Sequence, residues 1–455
     1  MHFETDTLKL LAEALANLEE GFAFLPDAEA TPAGRAPLPD TMAAVMREVA
    51  SRLRNNYPYF HPLYAGQMLK PPHPIARAAY ALATWINPNN HALDGGRASS
   101  AMEKEAVAEI ASMFGWRDHL GHLCGGGTMA NLEALWVAGQ LHPGKTIVAS
   151  EQAHYTHRRI TSVLRLPFAE APCDNRGRMD ASALEKLLEA GNVGCVVATV
   201  GTTGTGSLDP LPQLLHLRRR YGFRLHVDAA YGGYYTLAAN LEQEARAVYD
   251  VVEQADSIVV DPHKHGLQPY GCGCVLFRDP AVGAFYKHES PYTYFTSSDL
   301  HLGEISLECS RPGASAVALW ATQRLLPLAR GGEFAAMLES SRQAALALYG
   351  RLRADPRWVV PFAPELDIVV WAPRSPSARR SSELSQQIFA ASARRNLHLA
   401  LIRLPVRFFA ATEPAMGGDQ DTILCLRSVL MKPEHREWVE RITEILSQCA
   451  KEVIS

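Results

Sequence analysis

From about residue 100 the chain alternates short apolar runs with segments of helical spacing, and this alternation limits the fold more than any other feature. TIVAS (146–150), CVVATV (195–200), RLHVDAA (224–230), SIVVD (257–261) and GCVLF (273–277) are largely apolar stretches rich in Val and Ile. Strands of this kind are covered on both faces, the condition of a parallel sheet rather than of an antiparallel sheet with one wet face. The intervening SSAMEKEAVAEIASMFG, DASALEKLLEAG and PLPQLLHLRRRYG have helical spacing and supply the covering layers. An α/β domain with a mainly parallel central sheet follows.

With 455 residues the chain exceeds one ordinary core and predicts two or three units. TLKLLAEALANLEEGF and MAAVMREVASRL flank a Pro- and Ala-rich stretch, so residues 1–65 read as a helical arm. Residues 66–330 hold the α/β domain, and a break at Gly331 and Gly332 opens a small C-terminal α+β domain over 331–455. A formal net charge of -4 gives no global attraction to nucleic acid or anionic lipid, leaving small molecules or a second copy as partners. The eight cysteines show no paired C-x-x-C spacing, the start MHFETDTLKLLAEAL is acidic, and no run of 18 apolar residues occurs. These features predict a reduced, cytoplasmic protein that does not enter a membrane.

In open parallel sheets ligands bind beyond the carboxyl ends of the strands, so polar residues directly after apolar runs are the first candidates. HLCGGGTMANLEAL sets Gly126, Gly127 and Thr128 just before a helix. Glycines permit close backbone approach and a helix start offers amides, which together can cradle a phosphate; a plain tight turn reads the same way. The loop lacks a P-loop lysine and the dinucleotide spacing, so the phosphate would belong to something smaller than ATP or NAD. His154 follows TIVAS, Thr202 and Thr203 follow CVVATV, and Asp228 ends RLHV. Each alone has an ordinary reading as a cap, a turn former or a hydrogen-bonded structural residue.

DPHKHG (261–266) then places Lys264 at the end of SIVV. It reads as a snorkelling edge lysine, as a neighbour of a metal set formed by Asp261, His263 and His265 in a metal-dependent hydrolase, or as a nucleophilic amine. The combination favours the amine. A phosphate cradle, a strand-end aspartate, a flat-faced histidine, threonine hydroxyls and a lysine are the parts needed to hold pyridoxal 5'-phosphate. Lys264 would join its aldehyde, Asp228 would keep its ring nitrogen protonated, and the glycine loop would hold its phosphate.

CGGGTMAN, SEQAHYTHRR, GTTGTGSLDP, HVDAAYGG and DSIVVDPHKHG, in this order, resemble the group II pyridoxal-phosphate-dependent amino acid decarboxylases, which act on aromatic amino acids, glutamate, histidine and tyrosine. The resemblance runs over about residues 60–320, and ECSRPGASAVALW and ILCLRSVLMKP resemble blocks further downstream. It implies the aspartate aminotransferase-like fold type I and a homodimer with the arm over the partner and active sites at the interface. Carried over by position, Gly126, Gly127 and Thr128 would bind phosphate with support from Ser257 and His263. His154 would stack on the ring, Ala230 would press on its other face, Thr203 would lie near its phenolic oxygen, Asp228 would pair with its nitrogen, and Lys264 would bond to it. His265 stands where relatives often have an apolar or aromatic residue.

The resemblance implies decarboxylation of an L-amino acid to its amine and CO2. The proton returned to Cα would come from a loop tyrosine, for which AFYKHESPYTYFTSSD offers Tyr286, Tyr292 and Tyr294. Phe285 falls where animal relatives carry tyrosine, which keeps open an aldehyde synthase working by oxidative deamination. Tyr64, Gly66 and Gln67 match the family's substrate-lining region, and Tyr59 and Phe60 add aromatic surface suited to an aromatic side chain. Arg97 keeps an acidic substrate open. Arg311 and Arg427 read as structural arginines at domain seams. A cofactor-binding protein without catalysis is the remaining alternative, disfavoured by the intact Lys264 and Asp228.

Overall fold

The computed structural model describes residues 5–23, 40–287, 301–414 and 419–454. In chain order the first half consists of helices α1 (Thr5–Gly21), α2 (Asp40–Leu53), α3 (Pro74–Thr84) and α4 (Leu93–Met113), strand β1 (Leu120–Cys124), α5 (Gly127–Leu141), β2 (Thr146–Ser150), α6 (Thr156–Leu164), β3 (Phe168–Ala171), α7 (Ala181–Glu189), β4 (Val193–Thr199), α8 (Leu211–Tyr221) and β5 (Arg224–Asp228). Then come α9 (Gln243–Tyr249), β6 (Ser257–Val260), β7 (Gly273–Phe277), α10 (Gly313–Leu325), α11 (Glu333–Ala354), β8 (Trp358–Val359), β9 (Ile368–Pro373), α12 (Ala378–Arg394), β10 (Ala400–Pro405), β11 (Thr422–Val429) and α13 (His435–Ile454).

The central sheet has seven strands in the order β1-β7-β6-β5-β4-β2-β3. Neighbours from β6 to β3 run parallel, and β7 is antiparallel to both β6 and β1. The mainly parallel sheet expected of the apolar runs is therefore present. The reversal at β7 has a local cause: no helix separates β6 from β7, and a parallel return needs a crossover. The reversing segment is the one that carries DPHKHG. Val196, Ala198, Val227, Ile258 and Cys274 are at most 0% exposed, as strands covered on both faces require.

The four-stranded antiparallel sheet β10-β11-β9-β8 packs with α11, α12 and α13. Residues 63–65, assigned to the arm by sequence, join this C-terminal layer: His398 N donates to Leu63 O (2.9 Å), Ala65 N to His398 O (2.9 Å) and Val429 N to Ala65 O (2.7 Å). Ala65 is fully buried in the core of that layer. Upstream, α2 has no buried residue. Among the described residues no helix is long and apolar enough to cross a membrane.

Candidate active site

The carboxyl ends of β1, β2, β4, β5 and β6 open into a cleft of about 510 Å³ lined by the glycine loop, His154, Thr203, Asp228, Ala230, His263 and Lys264. Five separate motifs of the sequence thus meet at one place, the crevice where a doubly wound sheet binds its ligand.

The glycine loop is shaped by contact. Gly126 has φ +145° and ψ 176°, a conformation open only to glycine. A Cβ on Gly127 would stand 2.7 Å from Asp261 Oδ2. Gly127 starts α5, whose first amides lack intrahelical acceptors and whose N-terminus favours an anion. Thr128 Oγ1 accepts from Thr156 Oγ1 at 3.3 Å. Buried Nδ1 of His263 and Oδ1 of Asp261, both on cleft-lining residues, have no partner among the described residues, and such atoms are costly unless something pairs with them.

Asp228 is fixed on all sides: its Oδ2 accepts from His157 Nε2 (2.9 Å) and Asn131 Nδ2 (3.2 Å), and its Oδ1 from Ala230 N (3.1 Å). Burial would raise this carboxyl, but His157, with Lys264 and His226 beyond, holds it well below the usual carboxylate range. It is a permanent anion facing the cleft. Burial lowers His154 below the ordinary histidine value, opposed by the nearby Asp228 carboxylate. Lys264 Nζ lies 3.0 Å from Asp261 Oδ2, and the His263 ring packs on Tyr270 at 4.7 Å between centroids.

Several expected positions lie elsewhere. Ser257 is at the start of β6, away from the strand end, and is fully buried; its Oγ pairs with His226 Nδ1 (2.9 Å), and His226 Nε2 pairs with Asn131 Oδ1 (2.8 Å). It belongs to a hydrogen-bonded chain behind Asp228 and does not line the cleft. Tyr64 and Gly66 are buried against the C-terminal layer, where a Cβ on Gly66 would meet Leu399 O at 2.6 Å. Gln67 and Arg97 are exposed, and none of these four residues lines the cleft. Tyr286 is buried among Trp136, Phe277 and His122 and does not line the cleft. Tyr292 and Tyr294 lie outside the described residues. The metal set fails on geometry: His265 turns away from Asp261 and His263 into a pocket with Tyr231, Tyr235 and Asp367, its Nε2 3.4 Å from Asp367 Oδ2.

Arg311 pairs with Glu103 at 2.8 Å, and Arg427 donates to the carbonyls of Thr203 (2.7 Å), Gly204 (3.1 Å) and Gly66 (3.3 Å). Arg427 thereby ties β11 to the loop that presents Thr203. Sequence reasoning missed His157, Asn131 and Glu308. The first two stand inside the quoted motifs THRR and TMAN, and their role shows only when α5 and α6 meet the end of β5. Glu308, whose Oε2 accepts from Gly125 N at 3.1 Å, opens the quoted block ECSRPG, but nothing in that block places it beside the glycine loop.

The family description "Pyridoxal-dependent decarboxylase conserved domain" matches residues 131–373, more than half of the chain. An L-tyrosine decarboxylase of Enterococcus faecium is 29% identical over 413 residues, 68% of this chain and 66% of that protein. A probable L-tyrosine/L-aspartate decarboxylase of Methanothermobacter thermautotrophicus is 31% identical over 57% of this chain and 70% of its own length. The chain thus spans about two thirds of the length of these relatives. Among solved structures, Oryza sativa TDC with PLP and tryptamine superposes with a TM-score of 0.79 at 18% identity over 100% of both chains. Rhodiola rosea 4-hydroxyphenylacetaldehyde synthase does so with a TM-score of 0.77 at 18% identity over 99% and 98%. Both show the same fold.

Proposed function

The chain belongs to the pyridoxal-dependent decarboxylase family, and from that premise we propose that it decarboxylates an L-amino acid with an aromatic side chain, using pyridoxal 5'-phosphate, to give the amine and CO2. The observation that carries this reading is the cleft in which Lys264, ionised Asp228 and the Gly126–Gly127 cradle converge. The residues present fit the cofactor: an amine for its aldehyde, a fixed anion for its ring nitrogen, and helix-start amides beside an unpartnered His263 Nδ1 for its phosphate. When bound, the cofactor supplies a covalent attachment for the substrate amine and an electron sink for the bond broken at Cα.

The protein supplies position and charge. Asp261 holds the Lys264 amine until it is used, and Asp228 stabilises a proton on the ring nitrogen, kept anionic by His157. His154, half-buried, offers a flat face, and the Ala230 methyl lines the same cleft. Lys264 is the one Lys or Arg among the described lining residues. An acidic side chain would therefore meet no uncommitted cation, which supports an aromatic substrate over aspartate or glutamate.

A homodimer accompanies this reading, supported by the unburied stripe on α2, where Met42, Val45, Met46, Val49 and Leu53 are 40–62% exposed. Cytoplasmic residence is supported by eight free thiols. The deciding experiment incubates the holoenzyme with tyrosine, tryptophan, aspartate and glutamate and measures CO2, amine, aldehyde and peroxide. Amine and CO2 from an aromatic acid, without oxygen uptake, is the expected result. Aldehyde with peroxide would point instead to the synthase reading that Phe285 keeps open, and amine from aspartate alone would overturn the aromatic assignment.

A further inference from the structure

Lys264 stands in a turn under strain, and the cofactor chemistry leaves its neighbour His265 without a role. Leu267 has φ +64°, in the left-handed region that a bulky side chain enters only at a cost. A Cβ on Gly266 would stand 2.6 Å from both Pro262 Cα and Tyr234 Oη, so the turn admits nothing larger there. Within the turn Lys264 N donates to Asp261 O (2.9 Å) and Gln268 N to Pro262 O (3.2 Å), and from outside His73 N holds Leu267 O at 2.9 Å. A strained conformation persists only where its surroundings hold it.

One side chain of the turn reaches a different layer. Lys264 lines the cleft, but the next residue leaves it: His265 is 1% exposed, its ring edge-on to Tyr231 at 4.7 Å and to Tyr235 at 5.2 Å between centroids. Its Nε2 lies 3.4 Å from Oδ2 of Asp367, the residue before β9 in the C-terminal layer. Among the described residues neither ring nitrogen has another polar partner. Burial, with Lys70 and Lys264 pushing the same way, lowers the ring well below the ordinary histidine value. A neutral ring facing a carboxylate, which can only accept, must present Nε2–H to it.

Asp367 is a fixed point. It is fully buried, its Oδ1 accepts from Tyr231 Oη (2.5 Å), and its carbonyl accepts from Leu430 N (2.9 Å) just past β11. Burial raises its carboxyl to about 6 against the opposing pull of the Tyr231 and Tyr235 hydroxyls and Lys70, so it is an anion at neutral pH. Such an anion is costly to bury unless donors meet it, and the His265 N–H is one of the few on offer.

We propose that His265 is a positioning residue: its bond to Asp367 anchors the strained turn to the C-terminal layer and so fixes the place of Lys264. The inference rests on pyridoxal 5'-phosphate joining Lys264, not on the substrate or on release of CO2, which is measured separately.

The test compares two ligands in fluorescence titrations of the full-length protein. The aldehyde of pyridoxal 5'-phosphate condenses with Lys264 with loss of water; pyridoxamine 5'-phosphate has no aldehyde, yet uses the same cradle and Asp228. His265→Phe keeps a ring beside Tyr231 and Tyr235 and removes the donor. Affinity for pyridoxal 5'-phosphate should fall on the order of tenfold, with pyridoxamine 5'-phosphate unchanged. His265→Gln, which offers an N–H near the place of Nε2, should recover most of the loss. In an Asp367→Asn background, which keeps an acceptor for Tyr231 but removes the anion, His265→Phe should cost less. Equal loss of both ligands would show a merely structural role and overturn the proposal. Unchanged binding of pyridoxal 5'-phosphate by His265→Phe, or a cost undiminished in Asp367→Asn, would do the same. Poor folding of His265→Phe does not block the test, because 15N NMR of the histidine-labelled holoenzyme, with His265→Gln identifying the signal, reads the bond in the parent chain. A neutral ring protonated at Nε2 is expected there, and one protonated at Nδ1 would overturn the proposal.

Discussion

At the scale of single residues the chemistry turns on Asp228, because a buried carboxylate ionises only if its surroundings outweigh desolvation. Here His157, Asn131 and the Ala230 amide do so. Asp228→Asn removes the anion while keeping the shape, and kcat should fall on the order of 10²–10³-fold with cofactor still bound, as its absorbance will show. His157→Asn should cost less, about tenfold, since Asn131 and Ala230 still hold the carboxylate. Ser257→Ala should cost less again: its hydroxyl reaches Asp228 only through His226 and Asn131. A loss for Ser257→Ala as large as for Asp228→Asn would mean that the buried chain, not the carboxylate, sets the rate.

At the scale of elements, the start of α5 and the face of α2 carry separate predictions. Gly126→Ala forces φ +145° on an alanine and sets a Cβ 3.1 Å from His263 Cε1, a strain of about 1–3 kcal/mol. Cofactor affinity, read by fluorescence titration, should fall roughly tenfold. Gly144→Ala also has positive φ, +74°, but open space around its Cβ, so it should cost about 1 kcal/mol of stability and leave cofactor affinity alone. Replacing Val45 and Val49 with lysine should yield monomer in light scattering if the α2 stripe is buried between copies. The elements also show what the sequence could and could not disclose. β2 and β4–β7 were legible because burial on both faces makes a strand a plain apolar run. LGHLC and ALIRLP were not, since β1 carries His122, paired with Glu133 at 2.9 Å, and β10 carries Arg403. FAEA was too short and held exposed Glu170, which pairs with Arg158. The cradle, Asp228 and Lys264 were legible because strand ends meet wherever the sheet is parallel. Tyr64, Gly66 and Gln67, in the loop before α3, and Arg97, on α4, do not line the cleft, because their spacing does not say which layer each joins.

At the scale of the whole molecule, the central and C-terminal layers are joined by buried polar groups, and these set the response to acid. His226 and His435, at the back of the cleft and the start of α13, are fully buried, and burial lowers each to about 3. In the unfolded chain a histidine titrates near 6.5. Between these values the unfolded state binds a proton that the folded state refuses, so the stability each contributes is complete above 6.5 and is lost as pH falls toward 3, by about 1.4 kcal/mol per pH unit. Buried Asp209, raised to about 7, and Asp367, raised to about 6, act in the opposite sense. Their folded forms take up protons before the unfolded ones do, so they add stability as pH falls through the same window. The net slope therefore does not isolate either group, but a variant does. His435 Nδ1 accepts from Lys432 N at 3.1 Å, and His435→Asn keeps an acceptor while removing the titration. In urea unfolding the variant should be less stable than the parent at pH 7.5, and the difference should shrink by roughly 2–3 kcal/mol by pH 4.5. A difference that stays constant across that range would show that His435 takes up its proton in the folded chain as readily as in the unfolded one.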